Sequence, residues 1–482
     1  MRDTLSYCCN GHRSSPFRAY AADMARAQAQ NGRLAELIGE AGISNAGLAH
    51  RVVELAVVRG VPAPRYNHAS VARWLAGEQP RGIIPDLIAE ILTGLTGRPL
   101  TRPDIGMTEA LRIDTTLDYP ATLEQAVTVA ANLYGADVHR RTILANATYI
   151  AAAYMVPALR WMTAPAAHLL GRNGSVQVGT GQVQAIRELT STFRRLDNQL
   201  GGGYARSTVV QYLADEVGPL LQHGTYSPAT GRELFAAASE MTLLAGWMAY
   251  DLEQHPIAQR YLIQALRLAQ EAGDKALGGE ILAAMAAQVT YLGDGQRAVD
   301  LARSAAHSAR AAGSGALLSE SLAAEAHGHA QSGDARSCAA VLMLAHQALD
   351  TSRDEPEFLG YYGPAYLAAR TGRALAAAGD QTGAARSLRQ SLSMAPGYQR
   401  GRVLNLAMLA TTLSDGGTVD EACEVACDAA RAARAVASSR VTSELRGLAG
   451  SLERHRGLPS VARALTQLPA PTRAERALPA GR

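Results

Sequence analysis

The side chains best suited to chemistry lie in residues 42–82, GISNAGLAHRVVELAVVRGVPAPRYNHASVARWLAGEQPRG. They are small polar groups, arginines and one tryptophan, and the chemistry they offer is recognition rather than bond making. Short polar side chains and Arg on a helix reach base edges in the major groove of B-DNA. Backbone amides at a helix N-terminus hold phosphates. On this reading His68, Ala69, Ser70 and Arg73 face outward on a short helix capped by Asn67. Asn45 opens the preceding helix and is placed for a phosphate, and Arg65 and Arg81 flank the reading helix for the same purpose. The expected partner is double-stranded DNA. Residues 24–100 carry eight arginines against six carboxylates, a modest excess that places part of the affinity on dimerisation.

Two more clusters carry charge and aromatic surface. Arg194, Arg195, Asp197 and Asn198 precede Gly201, Gly202, Gly203 and Tyr204. A triple glycine permits a sharp turn between helices and close backbone approach. Either Arg194 or Arg195 binds an anion in a ligand or partner site, or an Arg–Asp pair fixes the turn; the sequence favours the pair. Gly246-Trp247-Met248-Ala249-Tyr250-Asp251 offers either an aromatic and acidic lining for a groove or packing of Trp247 and Tyr250 between repeats, with packing favoured.

The elements that position these groups follow from periodicity. A first helix, about Leu34–Glu40, turns Leu34, Leu37 and Ile38 inward and stops at Gly42. Ser44 or Asn45 caps the second, whose Leu48, Val52 and Leu55 face the same core. Val71, Trp74 and Leu75 hold the third helix, Gly77 closes it, and a supporting helix covers Pro85–Leu95. A compact unit over 24–100 is followed by a proline-bearing linker, 101–122, and a helical connecting region, 123–230. From 231 to 465 paired helices recur. Their inner turns fall at Gln254-His255, Gly293-Asp294, Gly333-Asp334, Gly379-Asp380, Gly416-Gly417 and Arg456-Gly457, with spacings of 39, 40, 46, 37 and 40 residues. Periods of this length with paired helices indicate an α-solenoid. Residues 1–23 read as a disordered extension, with Met24 as an alternative start, and 466–482 as a flexible tail. Residues 143–159 are uncharged and follow Arg140-Arg141, yet are too short and polar to span a membrane, and a buried core helix is expected.

Composition narrows the class. The 482 residues leave room for two or three domains, and 48% hydrophobic with only 5% aromatic content favours helices over strands. A net charge of +3 gives no polyelectrolyte tail, and Lys275 is the single lysine. Cys8, Cys9, Cys338, Cys423 and Cys427 show neither a disulfide nor a metal spacing and fit a reducing cytoplasm. Residues 1–23 lack the apolar run of a signal peptide. No GxxxxGK[ST], HExxH or GxSxG occurs. His327 and His329 sit about 200° apart on a helix, poor for a metal, and read as surface or repeat-packing residues. No enzyme activity, cofactor, metal or membrane partner is expected.

GISNAGLAHRV followed by SVARWLAGEQP resembles the helix-turn-helix of Cro/C1 repressors, the XRE family. By that resemblance Asn45 replaces a phosphate-contacting glutamine and Asn67 to Arg73 form the recognition helix. About 12 extra residues separate the two helices, taken up by a longer second helix or by a loop with its own contacts. RELTSTFRRLDNQLGGGYARSTVVQYL and AGWMAYDLEQHPIAQRYLIQALRLAQEAGD resemble large actinobacterial regulators that join a helix-turn-helix to tetratricopeptide-like (TPR-like) repeats, the NsdA/NsdB type. The resemblance implies an all-α chain with a Cro/C1-like domain followed by a TPR-like α-solenoid. It also implies a cytoplasmic, nucleoid-associated homodimer that represses differentiation or secondary metabolism. The repeats would then dimerise or sense a peptide, a small molecule or a protein. The alternative is a TPR-like interaction scaffold whose helix-turn-helix is vestigial.

Overall fold

A computed structural model of the chain describes residues 31–58, 66–80, 84–107, 113–139, 148–163 and 171–470. Among the described residues the fold is all-α apart from one short parallel pair of strands, β1 (Val176–Gln177) and β2 (Gly224–Thr225). It divides into two compact units at residues 111 and 112.

The first unit packs α1 (Gly32–Glu40), α2 (Asn45–Val58), α3 (His68–Leu75) and α4 (Ile84–Thr96) around one core. Leu34, Leu37, Ile38, Leu48, Val52, Val71, Trp74, Leu87, Ile88 and Leu92 are buried there. The extra length between α2 and α3 is partly helical, because α2 runs on to Val58. Residues 101–107 are not free linker. Ile105 and Met107 enter this core, and the Asn31 side chain joins it to α1 by capping Leu34 N–H (3.0 Å) and donating to the Ile105 carbonyl (3.0 Å). The other half of the expected linker, residues 113–120, packs on the second unit, where Gln264 donates to the Thr116 and Asp118 carbonyls (2.9 Å each).

In the second unit α5 (Leu123–His139) and α6 (Met155–Thr163) lie outside the first helix pairs. Within the stretch expected as a core helix, residues 143–147 lie outside the described residues. The rest is half-buried: Tyr154 and Ala158 face inward, while Ile150, Val156 and Leu159 are exposed. No helix among the described residues is long and apolar enough to cross a membrane. Next come α7 (Thr180–Leu200), α8 (Gly202–Tyr212), a π-turn over Leu213–Val217 and α9 (Gly218–His223).

Six helix pairs follow: α10 (Pro228–Asp251) with α11 (His255–Ala272), α12 (Lys275–Tyr291) with α13 (Gly295–Ala312), and α14 (Gly315–Gln331) with α15 (Ala335–Asp350). Then come α16 (Pro364–Ala377) with α17 (Gln381–Ser391), α18 (Gln399–Asp415) with α19 (Val419–Ala433), and α20 (Ser439–Glu453) with α21 (Pro459–Leu465). The Gly-Asp turns have a plain cause. Gly293, Gly333 and Gly379 take left-handed backbone, and the following Asp294, Asp334 and Asp380 accept from the amides that open the next helix. In the first pair the left-handed position is held by Glu253 (φ 58) instead, and its carboxylate accepts from Tyr291 on α12 (2.6 Å) and Ser443 on α20 (2.9 Å).

The unit closes on itself. The Ala437 amide donates to the Leu200 carbonyl (2.6 Å) and the Gly203 amide to the Ala437 carbonyl (2.9 Å). Gly201 sits at φ +87, where an added Cβ would lie 2.6 Å from the Ala437 oxygen. Gly201→Ala therefore combines backbone strain of about 1–3 kcal/mol, since ψ is 161 there and only glycine adopts this region readily, with loss of this joint. Gly273 at φ +71 has open space around it, so Gly273→Ala carries the strain alone. Calorimetry is expected to show a larger drop in Tm for Gly201→Ala; equal drops would mean the joint is not made.

Candidate functional site

The first helix of every pair faces inward, and together with α7 these helices line a cavity of about 200 Å³. A helix buried on all sides is expected to be apolar throughout, yet charges recur on these inner helices. Glu280 on α12 is 3% exposed and Glu320 on α14 is 2% exposed. Arg370 and Arg373 on α16, Arg400 on α18 and Arg440 on α20 line the same space. Tyr250, Tyr291, Tyr361, Tyr366, Tyr398, Trp247 and Phe358 supply its aromatic walls.

The charges are held by a knot at Asp251, whose side chain is 1% exposed. Its carboxylate accepts from the Gly202 amide (2.9 Å) and the Ser438 hydroxyl (2.9 Å). Arg400 lies 3.7 Å and Arg440 3.9 Å from it. Arg400 also pairs with Asp197 at 2.8 Å and donates to Asn198 (3.3 Å). Burial raises the Asp197 carboxyl against the pull of Arg400. Arg440 lies over the Tyr250 and Tyr291 rings, 4.3 and 5.4 Å from their centroids.

A second knot joins two carboxylates. The Tyr361 hydroxyl lies 2.9 Å from Glu280 and 2.6 Å from Glu320, while Arg370 pairs with Glu320 at 3.1 Å. One hydroxyl hydrogen cannot serve both carboxylates. Burial, then the charge of Glu320, push Glu280 up to about 8, so it carries the missing proton at neutral pH. His327 lines the cavity rather than the surface. Burial, then Arg373 and Arg370, push it down to about 3, leaving a neutral imidazole.

The two clusters legible in the sequence thus meet in one place. Arg194, Asp197, Trp247, Tyr250 and Asp251 all line the cavity. The expected Arg–Asp pair across the glycine turn is corrected: Asp197 pairs with Arg400, and Arg194 lies 3.7 Å from Glu240. Trp247 and Tyr250 do pack edge to face, 5.4 Å between centroids, but on the cavity wall. Arg195 is outside it, exposed and bonded to Thr192 (3.1 Å). It borders a second depression that shares Arg194, Asn198, Phe358, Tyr361 and Tyr398 with the cavity. Sequence reasoning missed Arg370, Arg373, Arg400, Arg440, Glu280 and Tyr361. Two signals were present: charges inside alanine-rich helices, and the single 46-residue spacing, whose extra residues form the loop that carries Phe358 and Tyr361.

On the first unit, Ser44 rather than Asn45 caps α2, accepting from the Gly47 amide (3.1 Å). Asn45 is half-buried in the first turn. Asn67 caps α3, accepting from the Ala69 (3.1 Å) and Ser70 (3.2 Å) amides. Ser70 does not face outward as expected. It is 3% exposed, and its hydroxyl completes the cap by accepting from the Asn67 amide (3.4 Å). Val71 and Trp74 lie beneath, with Tyr66 edge-on to Trp74 at 5.2 Å. Asn67, His68, Ala69, Ala72 and Arg73 remain exposed. Arg73 lies 3.4 Å from Glu78 in an open surface pair. Arg65 and Arg81 lie outside the described residues.

Residues 34–108 match the model of a family described as the SP15 N-terminal domain. The match spans α1 to α4 and the Ile105–Met107 segment, and leaves the helix pairs and the cavity uncovered. No curated protein matches the chain.

The proton on Glu280 sets a pH dependence. Its folded pKa, about 8, stands above the ordinary 4.5, so its contribution to stability is complete below 4.5 and is lost as pH rises to 8. His327, at about 3 against 6.5, contributes fully above 6.5 and loses that contribution toward pH 3. The two oppose each other between 4.5 and 6.5, and only Glu280 acts from 6.5 to 8. Thermal melts are expected to fall from pH 6.5 to 8, by up to about 2 kcal/mol, and to flatten in Glu280→Gln. An unchanged slope in the variant would place the proton elsewhere.

Proposed function

We propose that the chain is a sequence-specific DNA-binding transcriptional regulator rather than an enzyme, with α3 as its reading helix and the cavity of the second unit as its effector site. The observation that carries the reading is the division of α3. Val71, Ser70 and Trp74 are committed to the core and the cap, while His68, Ala69, Ala72 and Arg73 are left exposed on one short, well-capped helix. The Arg73–Glu78 pair is weak at such exposure, and Arg73 exchanges it readily for a base edge or a phosphate. The resemblance to Cro/C1 repressors supports the same role, and the TPR-like resemblance supports a sensing second unit. On this reading the protein is a cytoplasmic, nucleoid-associated homodimer that represses differentiation or secondary metabolism.

The cavity narrows the kind of effector. Closure by α7 and the Ala437 joint narrows the groove to a partly open cavity of about 200 Å³, a size that suits a small molecule better than a folded protein. Occupancy that stabilises one arrangement of the second unit shifts DNA affinity by linkage.

The alternative, an interaction scaffold with a vestigial reading helix, draws on the neutralisation of the first unit's arginines: Arg73, Arg98 and Arg102 pair with Glu78, Glu40 and Asp86. Gel-shift assays on fragments upstream of the protein's own gene separate the two. Arg73→Ala is expected to weaken sequence-specific binding by about 1–3 kcal/mol and to leave non-specific binding in place. If wild type and variant bind alike, weakly and without sequence preference, the regulator reading fails. A stoichiometric protein partner retained after deletion of residues 1–100 would establish the scaffold.

A further inference from the structure

The charges of the cavity wall are unevenly matched, and the imbalance has a sign. Five arginines, Arg194, Arg370, Arg373, Arg400 and Arg440, line it against three carboxyl groups, those of Asp197, Asp251 and Glu280, and Glu280 holds its proton. Among the described residues the Arg373 guanidinium has no hydrogen-bond partner and makes only a 3.9 Å approach to Glu444. An excess of guanidinium groups around one aromatic-walled space is the complement of an anionic guest.

We propose that the effector is a small organic anion with a flat, unsaturated body: an aromatic carboxylate or a close relative. The acidic group lies against Arg373 and Asn405, and the ring lies against the tyrosines and Trp247. Asp197 and Asp251 do not oppose this, because Arg400 and backbone or hydroxyl donors already engage them. Neutral Glu280, in contact with Tyr361, removes a charge that would repel an anion. The inference rests on the effector-site reading of the cavity and is independent of whether α3 reads DNA.

The test uses the full chain without DNA and two isosteric probes, 2-naphthoate and 2-naphthylmethanol. Titration followed by calorimetry and by tryptophan fluorescence is expected to show saturable binding of the naphthoate and at least tenfold weaker binding of the alcohol. Arg373→Gln is expected to weaken the naphthoate by roughly tenfold to a hundredfold, Arg373→Lys to recover part of the loss, and Asn405→Ala to weaken it independently. Circular dichroism confirms that each variant is folded. Absence of naphthoate binding, equal binding of the alcohol, or undiminished binding by both Arg373→Gln and Asn405→Ala overturns the proposal. A protein that binds the naphthoate but no DNA retains this inference and loses the regulator reading.

Discussion

The second unit depends on the buried carboxylate of Asp251. Four groups from three separate parts of the chain converge on it: the Gly202 amide, the Arg400 guanidinium, and the Ser438 hydroxyl with the Arg440 guanidinium. A carboxylate out of water is tolerable only when its oxygens are satisfied by donors and its charge is matched. Here that requirement ties the turn between α7 and α8 to the last two helix pairs, which lie more than 180 residues away in sequence. A stack of helix pairs is otherwise a local structure in which each pair meets its neighbours. The Asp251 knot makes it non-local and converts a groove into a cavity.

The arginines are the other half of the same constraint. Each of Arg370, Arg400 and Arg440 is partly compensated, by Glu320, Asp197 and Asp251 respectively, and each borders the open space. Hydrophobic burial alone would favour an apolar wall, as α12 shows over most of its length. Retained buried charge at this density points to a function other than stability. Glu253 is consistent with this. It holds a left-handed position that glycine fills in several later turns, and in return it bridges α12 and α20.

Much of the fold was legible in the sequence, because helix ends and turns are local events. Gly-Asp turns, the caps at Asn67 and Ser44, and the inward faces of α1 to α4 follow from nearest neighbours along the chain. Ser70 was misplaced for a related reason: a serine three residues after a cap reads equally well as an exposed polar group or as the cap's partner, and only the hydrogen bond decides. The cavity was half legible. The Arg194–Tyr204 and Gly246–Asp251 clusters marked it, but their meeting, and the partnership of Asp197 with Arg400, depend on a closure between residues about two hundred apart that no periodicity encodes. Arg370, Arg373 and Arg440 were passed over because a charge in an alanine-rich helix looks like a solvated face until that helix is known to be the inner one of its pair.

Amide hydrogen exchange on the full chain tests the closure most directly, comparing wild type with Asp251→Ala. If the carboxylate holds the ring shut, the Gly202, Gly203 and Ala437 amides are slow in the wild type and become fast together in the variant, while α1 to α4 keep their protection. Rapid exchange at these three amides in the wild type, or loss of protection confined to the end of α10 in the variant, would contradict it.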